Sequence, residues 1–274
     1  MESIVVELSH VSLTYHEPHA ETLAIEDLSF QIREGEFVAI VGPSGCGKTS
    51  MLSLLCGLIQ PSAGAVLLGG KSINAPRREG LSAGDAIPGR DGIPGEDIGY
   101  MLQRDHLLDW RDIAQNVMLG LEVKNLLNEQ TAARALALIN TYGLSEFKNH
   151  YPRQLSGGMR QKVALIRTLA FDPTLLLLDE PFSALDYQTR LRVADEIHGI
   201  IKREHKTALL VTHDIAEAIS MADRILVFTE RPASLKCDLP LTLSAPANPL
   251  ARRNAPEFRG YFDRIWKELA QDAP

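Results

Sequence analysis

The chain has 274 residues, of which 45% are hydrophobic and 23% charged, and its net charge is −7. That balance suits a globular chain with a sizeable core, and the net negative charge counts against broad nucleic-acid binding, which needs clustered Lys and Arg. Cys46, Cys56 and Cys237 form no CxxC pair, the start "MESIVVELSH" lacks the basic and apolar regions of a signal peptide, and the longest apolar runs are too short to cross a bilayer; the sequence reads as a soluble chain from a reducing compartment.

In chain order, "SIVVEL" (3–8) and "AVLLGG" (65–70) read as strands of a small antiparallel sheet. "FVAIV" (37–41), "TLLLL" (174–178), "ALLVT" (208–212) and "RILVF" (224–228) are short apolar runs with polar or glycine flanks. They read as buried strands of a largely parallel sheet. Helical periodicity marks 48–56, 130–142, 159–170 and 189–204; in the last, Leu191, Ala194, Ile197 and Ile201 recur at steps of three and four. Residues 111–155 hold no convincing strand and read as a helical subdomain. Residues 75–97 are rich in Gly and Pro and read as an irregular surface loop. The tail, 231–274, reads as an extended segment followed by one docked helix, "EFRGYFDRIWKEL". The expected fold is α/β: a core with a mostly parallel sheet and flanking helices, a small antiparallel β subdomain and a helical subdomain.

"GPSGCGKTS" (42–50) sits between a strand and a helix. This is the G-x-x-x-x-G-K-T pattern in the context its chemistry requires. Gly42, Gly45 and Gly47 let successive N–H groups converge on phosphate oxygens, and Pro43, Ser44, Cys46 and Ser50 complete the loop. The helix N-terminus adds partial positive charge. Lys48 is expected to reach the β- and γ-phosphates, and Thr49 to ligate Mg2+. Cys46, beside that helix and Lys48, is expected to favour its thiolate.

"TLLLLDEP" ends a buried strand on Asp179, a carboxylate expected to bind Mg2+ through water. Glu180 takes a different direction and suits polarising an attacking water. His213 closes the strand "LLVT", expected beside the strand of Asp179, where its imidazole reaches the γ-phosphate. Gln103 ends the strand in "GYMLQRD" and is placed to bond water or Mg2+. Tyr15 admits two readings: an aromatic stacked on adenine, or an ordinary sheet-surface residue. Leu107, Leu108 and Trp110 also admit two: a cap on the helical subdomain's core, or the lip of a groove for a partner's amphipathic helix.

"LSGGMRQ" (155–161) raises a question, because one nucleotide needs one cradle. Ser156, Gly157 and Gly158 open a helix and offer a hydroxyl, two N–H groups and a helix dipole, a second anion cradle. If it lies far from the first, it serves a nucleotide held by another copy of the chain, and two copies enclose two nucleotides head to tail. The plain alternative is a helix N-cap.

The ordered set of these motifs, from Tyr15 to His213, resembles the nucleotide-binding subunit of an ATP-binding-cassette (ABC) transporter. The resemblance implies that Tyr15 stacks on adenine, that Gln103 is the Mg2+ and coupling glutamine, that Glu180 is the catalytic base, and that His213 senses the γ-phosphate. It implies that "LSGG" grips the partner's ATP and that Asp186, in "SALD", communicates across the dimer. "LLDW", "LSGGMRQ" and "EPFSALD" are most similar to the nitrate/sulfonate/taurine branch of importers. Met159 departs from the frequent "LSGGQ", and the 75–97 loop is longer than such subunits usually carry. The expectation is an ABC ATPase domain over 1–230 with an extension over 231–274. It binds ATP and Mg2+, forms a homodimer through the nucleotide sites, and powers a separate integral membrane permease at the cytoplasmic face of the membrane, served indirectly by a solute-binding protein, with no role for nucleic acid. A non-transport ABC ATPase is the alternative. The single cassette and the lack of a heptad run weigh against it, and the missing N-K-x-D weighs against a GTPase.

Overall fold

The computed structural model describes residues 3–17, 20–73, 98–246 and 248–270. The Gly/Pro-rich 75–97 segment lies outside the described residues.

The chain opens with a long hairpin, β1 (Ile4–Glu17) and β2 (Ala20–Arg33). The expectation over 3–8 captured only its start. In β1 the buried residues are Val6 and Leu8, then Val11 and Leu13; in β2 they are Ala24 and Ile25, then Leu28, Phe30 and Ile32. Each series changes phase once, at His10 and at Asp27, and both residues have positive φ, 51° and 46°. The bulges face each other, and His10 Nδ1 lies 2.7 Å from Asp27 Oδ1. A matched phase change keeps one face of both strands apolar. β4 (Ala63–Leu68) and β5 (Lys71–Ser72) complete an antiparallel sheet in the order β2-β1-β4-β5. Before them come β3 (Phe37–Val41) and α1 (Lys48–Leu55).

The remaining strands are β6 (Ile98–Met101), β7 (Leu175–Asp179), β8 (Thr207–Thr212), β9 (Arg224–Phe228) and β10 (Leu235–Pro240). The second sheet runs β10-β9-β3-β8-β7-β6 and is parallel except for β10, which pairs antiparallel with β9. Its strands are apolar on both faces because both faces are covered. Phe37, Ala39, Leu176, Leu178, Leu210 and Ile225 pack on the helical side. Val38, Ile40, Leu177, Leu209 and Leu226 pack against α1 and the antiparallel sheet.

The helical side carries α2 (Ile113–Val123), α3 (Glu129–Thr141), α4 (Gly157–Leu169), α5 (Tyr187–Arg203) and α6 (Ile215–Met221). Helix α6 was not expected: Ile215, Glu217, Ala218, Ile219, Ser220 and Met221 are all buried, so it has no polar face to reveal a period. In the tail, β10 extends the sheet. The four-residue α7 (Pro249–Arg252) precedes α8 (Phe258–Ala270), which docks through fully buried Ile265. No described helix is long and apolar enough to cross a membrane.

Candidate functional site

The 42–50 loop joins the end of β3 to α1. Helices α2 through α7 each begin with a side-chain cap: Asp112, Asn128, Ser156, Asp186, Asp214 and Asn248. Helix α1 has none; its N-cap is Gly47, with φ 124°. Its first-turn N–H groups have no partner within the helix. They are the donors an anion takes. A Cβ on Gly47 would stand 2.8 Å from the Ala24 carbonyl oxygen, so the loop closes only with glycine there. Gly45 also has positive φ, 75°, and a Cβ on Gly42 would crowd Cys46 and Phe228.

Lys48 is buried, and its Nζ donates to the Gly42 and Pro43 carbonyls, both at 2.7 Å. The ammonium is therefore folded over the loop. Reaching a phosphate exchanges these neutral acceptors for anionic ones, which bind an ammonium more strongly. Thr49 is exposed at the head of α1. Ser50 accepts a 3.0 Å hydrogen bond from the Tyr15 hydroxyl, which fixes the half-exposed Tyr15 ring beside the loop.

Cys46 requires a correction. It is buried, and burial pushes its thiol up, outweighing the lowering effect of Lys48 3.8 Å away. The neighbouring charge was legible in the sequence; the depth of burial was not.

β8 lies between β3 and β7, so the carboxylate of Asp179 is one strand removed from the phosphate-loop strand. Tyr100, on β6, donates to Asp179 Oδ2 at 3.1 Å. Burial pushes the Asp179 carboxyl up, against lowering by Tyr100 and Lys48. A half-buried carboxylate with so little compensation suits a cation, so the donor set of Asp179 and Thr49 fits Mg2+.

Glu180 has φ 43°, and its N–H donates to the Val211 carbonyl at 2.8 Å. This left-handed turn carries its side chain out of the strand's alternation. His213 Nδ1 lies 3.0 Å from Glu180 Oε1, and Gln103 Nε2 reaches Glu180 Oε2 at 3.5 Å. Gln103 lies two residues beyond the end of β6 rather than on it.

Ser156 caps α4, its hydroxyl accepting from Met159 N at 3.3 Å. A Cβ on Gly158 would lie 2.7 Å from Val193 Cγ2, and one on Gly157 3.0 Å from Leu185 Cδ2. Close packing on α5 therefore favours glycine at 158, and a side chain at 157 would press on the 183–186 turn. None of the described hydrogen bonds or ion pairs joins 156–158 to 42–50.

The sequence reading missed several residues that hold the site. Asn116, fully buried, accepts from Leu108 N and donates to the carbonyls of Leu108, Arg111 and Asp112. Arg160 pairs with Asp105 at 3.0 Å, and Arg167 donates to the carbonyls of Asp105 and His106. Both arginines lie on α4, seven residues apart, and that spacing on one helix face was a readable signal. They fasten the segment after Gln103 to the helix that begins at Gly157. In that segment Leu107 is core, whereas Trp110 is 74% exposed.

Comparison with known proteins agrees. The ABC transporter family matches residues 25–183. An ABC transporter ATP-binding protein of Bacillus subtilis, YtlC, is 44% identical over 264 residues, covering 96% of this chain and 94% of that protein. The taurine import ATP-binding protein TauB of Yersinia pestis is 40% identical over 212 residues, covering 77% and 76%. Among solved structures, the dimeric ATP-binding cassette MJ0796 bound to ADP and Pi superposes with a TM-score of 0.68. It is 30% identical, over 86% of this chain and 99% of that one.

Proposed function

Because this chain belongs to the ABC transporter family and is an ATP-binding, ATP-hydrolysing subunit, we propose that it powers an importer for a small anion such as nitrate, a sulfonate or taurine. In this reading residues 1–230 form the ATPase domain, 231–274 are an extension, and the subunit sits peripherally at the cytoplasmic face of the membrane. It acts with a separate integral permease and, indirectly, a solute-binding protein. Support for an importer comes from the 40% identity to a taurine import ATP-binding protein.

What supports the chemistry is that Lys48 opens an uncapped helix and its charge acts on Asp179, while the adjacent Glu180 is met by His213 and Gln103. The 42–50 loop receives the phosphates, and Tyr15 offers its ring to the base. Thr49, Asp179 and Gln103 would hold Mg2+, which supplies charge neutralisation at the β- and γ-phosphates. Glu180 orients the attacking water and takes its proton, and His213 and Gln103 hold the two carboxylate oxygens of Glu180 in place. Ser156, Gly157 and Gly158 contact the partner subunit's nucleotide, so two copies close around two ATP molecules. Closure on ATP and reopening after hydrolysis form the two-state motion that drives the permease.

The test is transport: the subunit and a permease that copurifies with it are reconstituted in vesicles with a solute-binding protein. Labelled taurine, an alkanesulfonate and nitrate are each offered with ATP. Uptake of one of them, abolished by Glu180→Gln, is expected. A subunit that hydrolyses ATP but assembles with no permease would instead favour a non-transport ABC ATPase.

A further inference from the structure

Among the described strands, β6 pairs only with β7, in a register that runs from Ile98 opposite Leu175 to Met101 opposite Leu178. Tyr100 therefore stands opposite Leu177, and Asp179 lies two residues further along β7 on the same face. An aromatic side chain reaches a neighbour at such a diagonal position. The Tyr100 ring packs on the apolar cluster that includes Leu175 and Leu177. Phenylalanine would serve that packing equally well. The hydroxyl does something more: it donates to Asp179 Oδ2 at 3.1 Å.

A hydrogen bond to an ionised carboxylate is stronger than one between neutral groups, and a ring anchored in an apolar cluster has little freedom to leave it. Asp179 is thus presented asymmetrically. Oδ2 is engaged by Tyr100, whereas Oδ1 makes none of the described hydrogen bonds. One oxygen is left for a cation and its waters. Mg2+ is small, demands an octahedral shell and keeps several of its waters, so a carboxylate offering one fixed oxygen suits it. Ca2+ takes more oxygens in a looser shell and accepts both oxygens of a single carboxylate.

We propose that Tyr100 is a positioning residue for Asp179 and that, by holding Oδ2, it sets the preference of the nucleotide site for Mg2+ over Ca2+. Tyr100 touches no reacting atom; it acts through Asp179. The inference rests on the reading of Asp179 as a carboxylate of the Mg2+ site.

The test is calorimetric titration of the full chain with adenylyl imidodiphosphate, a non-hydrolysable ATP analogue, offered as its Mg2+ complex, as its Ca2+ complex and metal-free in EDTA. Tyr100→Phe keeps the ring and removes the hydroxyl. It is expected to weaken the Mg2+ complex about tenfold, the lower end of the usual cost of removing a partner of a metal ligand, and to change metal-free binding less than about twofold. The Ca2+ complex is expected to weaken less than about threefold, because the freed oxygen is one that Ca2+ can use. Tyr100→Leu, which loses the ring packing as well, is expected to lower the melting temperature yet shift the Mg2+-to-Ca2+ affinity ratio by the same factor. Should it not fold, Tyr100→Phe carries the comparison alone. An unchanged ratio in Tyr100→Phe, or a ratio that follows the melting temperature instead of the hydroxyl, would overturn the inference. Asp179→Asn separates it from the reading beneath it. If that variant binds the Mg2+ complex as tightly as the parent, Asp179 is no part of the cation site and both fall. If it binds the Mg2+ complex weakly while Tyr100→Phe leaves the ratio alone, only the role of Tyr100 falls.

Discussion

His213 Nδ1 lies 3.0 Å from Glu180 Oε1. The ring stands more than half exposed on its other side. Gln103 takes the second carboxylate oxygen, and the left-handed turn at residue 180 fixes the backbone below. Glu180 is the one acidic group here that is braced from two sides and uncommitted to a cation.

Glu180→Gln is therefore expected to preserve ATP binding and lose at least about a hundredfold in turnover, the usual scale for a general base. It should also accumulate an ATP-bound dimer, visible by gel filtration. Turnover near that of the parent would take Glu180 out of the mechanism.

Much of this site is local in the chain and so was readable from it. The phosphate loop spans nine residues between a strand and a helix, and Asp179 and Glu180 are adjacent. The placement of His213 followed from expecting its strand beside that of Asp179, a neighbour relation that β7 and β8 realise. What escaped was long-range or hidden by burial. Tyr100 meets a carboxylate 79 residues away. Asp27 reverses the strand's phase, which hid β2, and α6 is buried all round, which hid its period.

The thiols provide a second prediction, the reverse of what the charge on Lys48 alone suggests. Cys46 is 1% exposed, and burial raises its thiol, while burial pushes Cys56 up to about 12. Cys56 and Cys237 are both partly exposed, but the raised Cys56 thiol stays protonated at neutral pH. Under native conditions at pH 7.5, maleimide should label Cys237 first, and Cys46 should lag until denaturant is added. Prompt labelling of Cys46, located by peptide mapping, would mean that the loop is more open than the packing of Phe228 on Gly42 allows.

A third prediction concerns pH. His198 is 2% exposed, with its ring 5.6 Å from that of Phe37 and its Nε2 without a partner. Burial first, then the charges of Lys202 and Arg252, lower its pKa to about 4; Asp223 and a backbone bond at Met221 act in the opposite sense. The folded state thus holds the ring neutral where the unfolded chain, near 6.5, begins to protonate. The stability that depends on this neutral ring is fully present above pH 6.5 and is lost as pH falls toward 4. Between pH 7.5 and 5.0 the loss from this one group is about 2 kcal/mol. His198→Leu removes the titration, so its unfolding free energy should fall by about that much less over the same interval. Identical pH slopes in urea titrations of the two proteins would show that His198 titrates normally.

The last prediction separates the two readings of the 107–110 segment. The structure divides that segment: Leu107 is in the core at 9% exposure, whereas Trp110 is 74% exposed. Asn116 clamps the backbone on either side, and Arg167 holds the carbonyls just upstream. The loop is therefore supported without the indole. Truncating Leu107 to Ala should cost about 2–4 kcal/mol of stability, as for other buried leucines. Trp110→Ala should leave the melting temperature and ATP affinity of the isolated subunit nearly unchanged. If Trp110 is the anchor for a permease helix, its loss should weaken assembly by about 2 kcal/mol, roughly thirtyfold in affinity. The same arginines that hold this loop rise from the helix that begins at Gly157, so a movement of that helix on ATP binding carries Trp110 with it. Copurification of the permease with the Trp110→Ala subunit, compared with the parent in parallel, measures the effect. Undiminished assembly together with a large drop in melting temperature would return Trp110 to the subdomain's own packing.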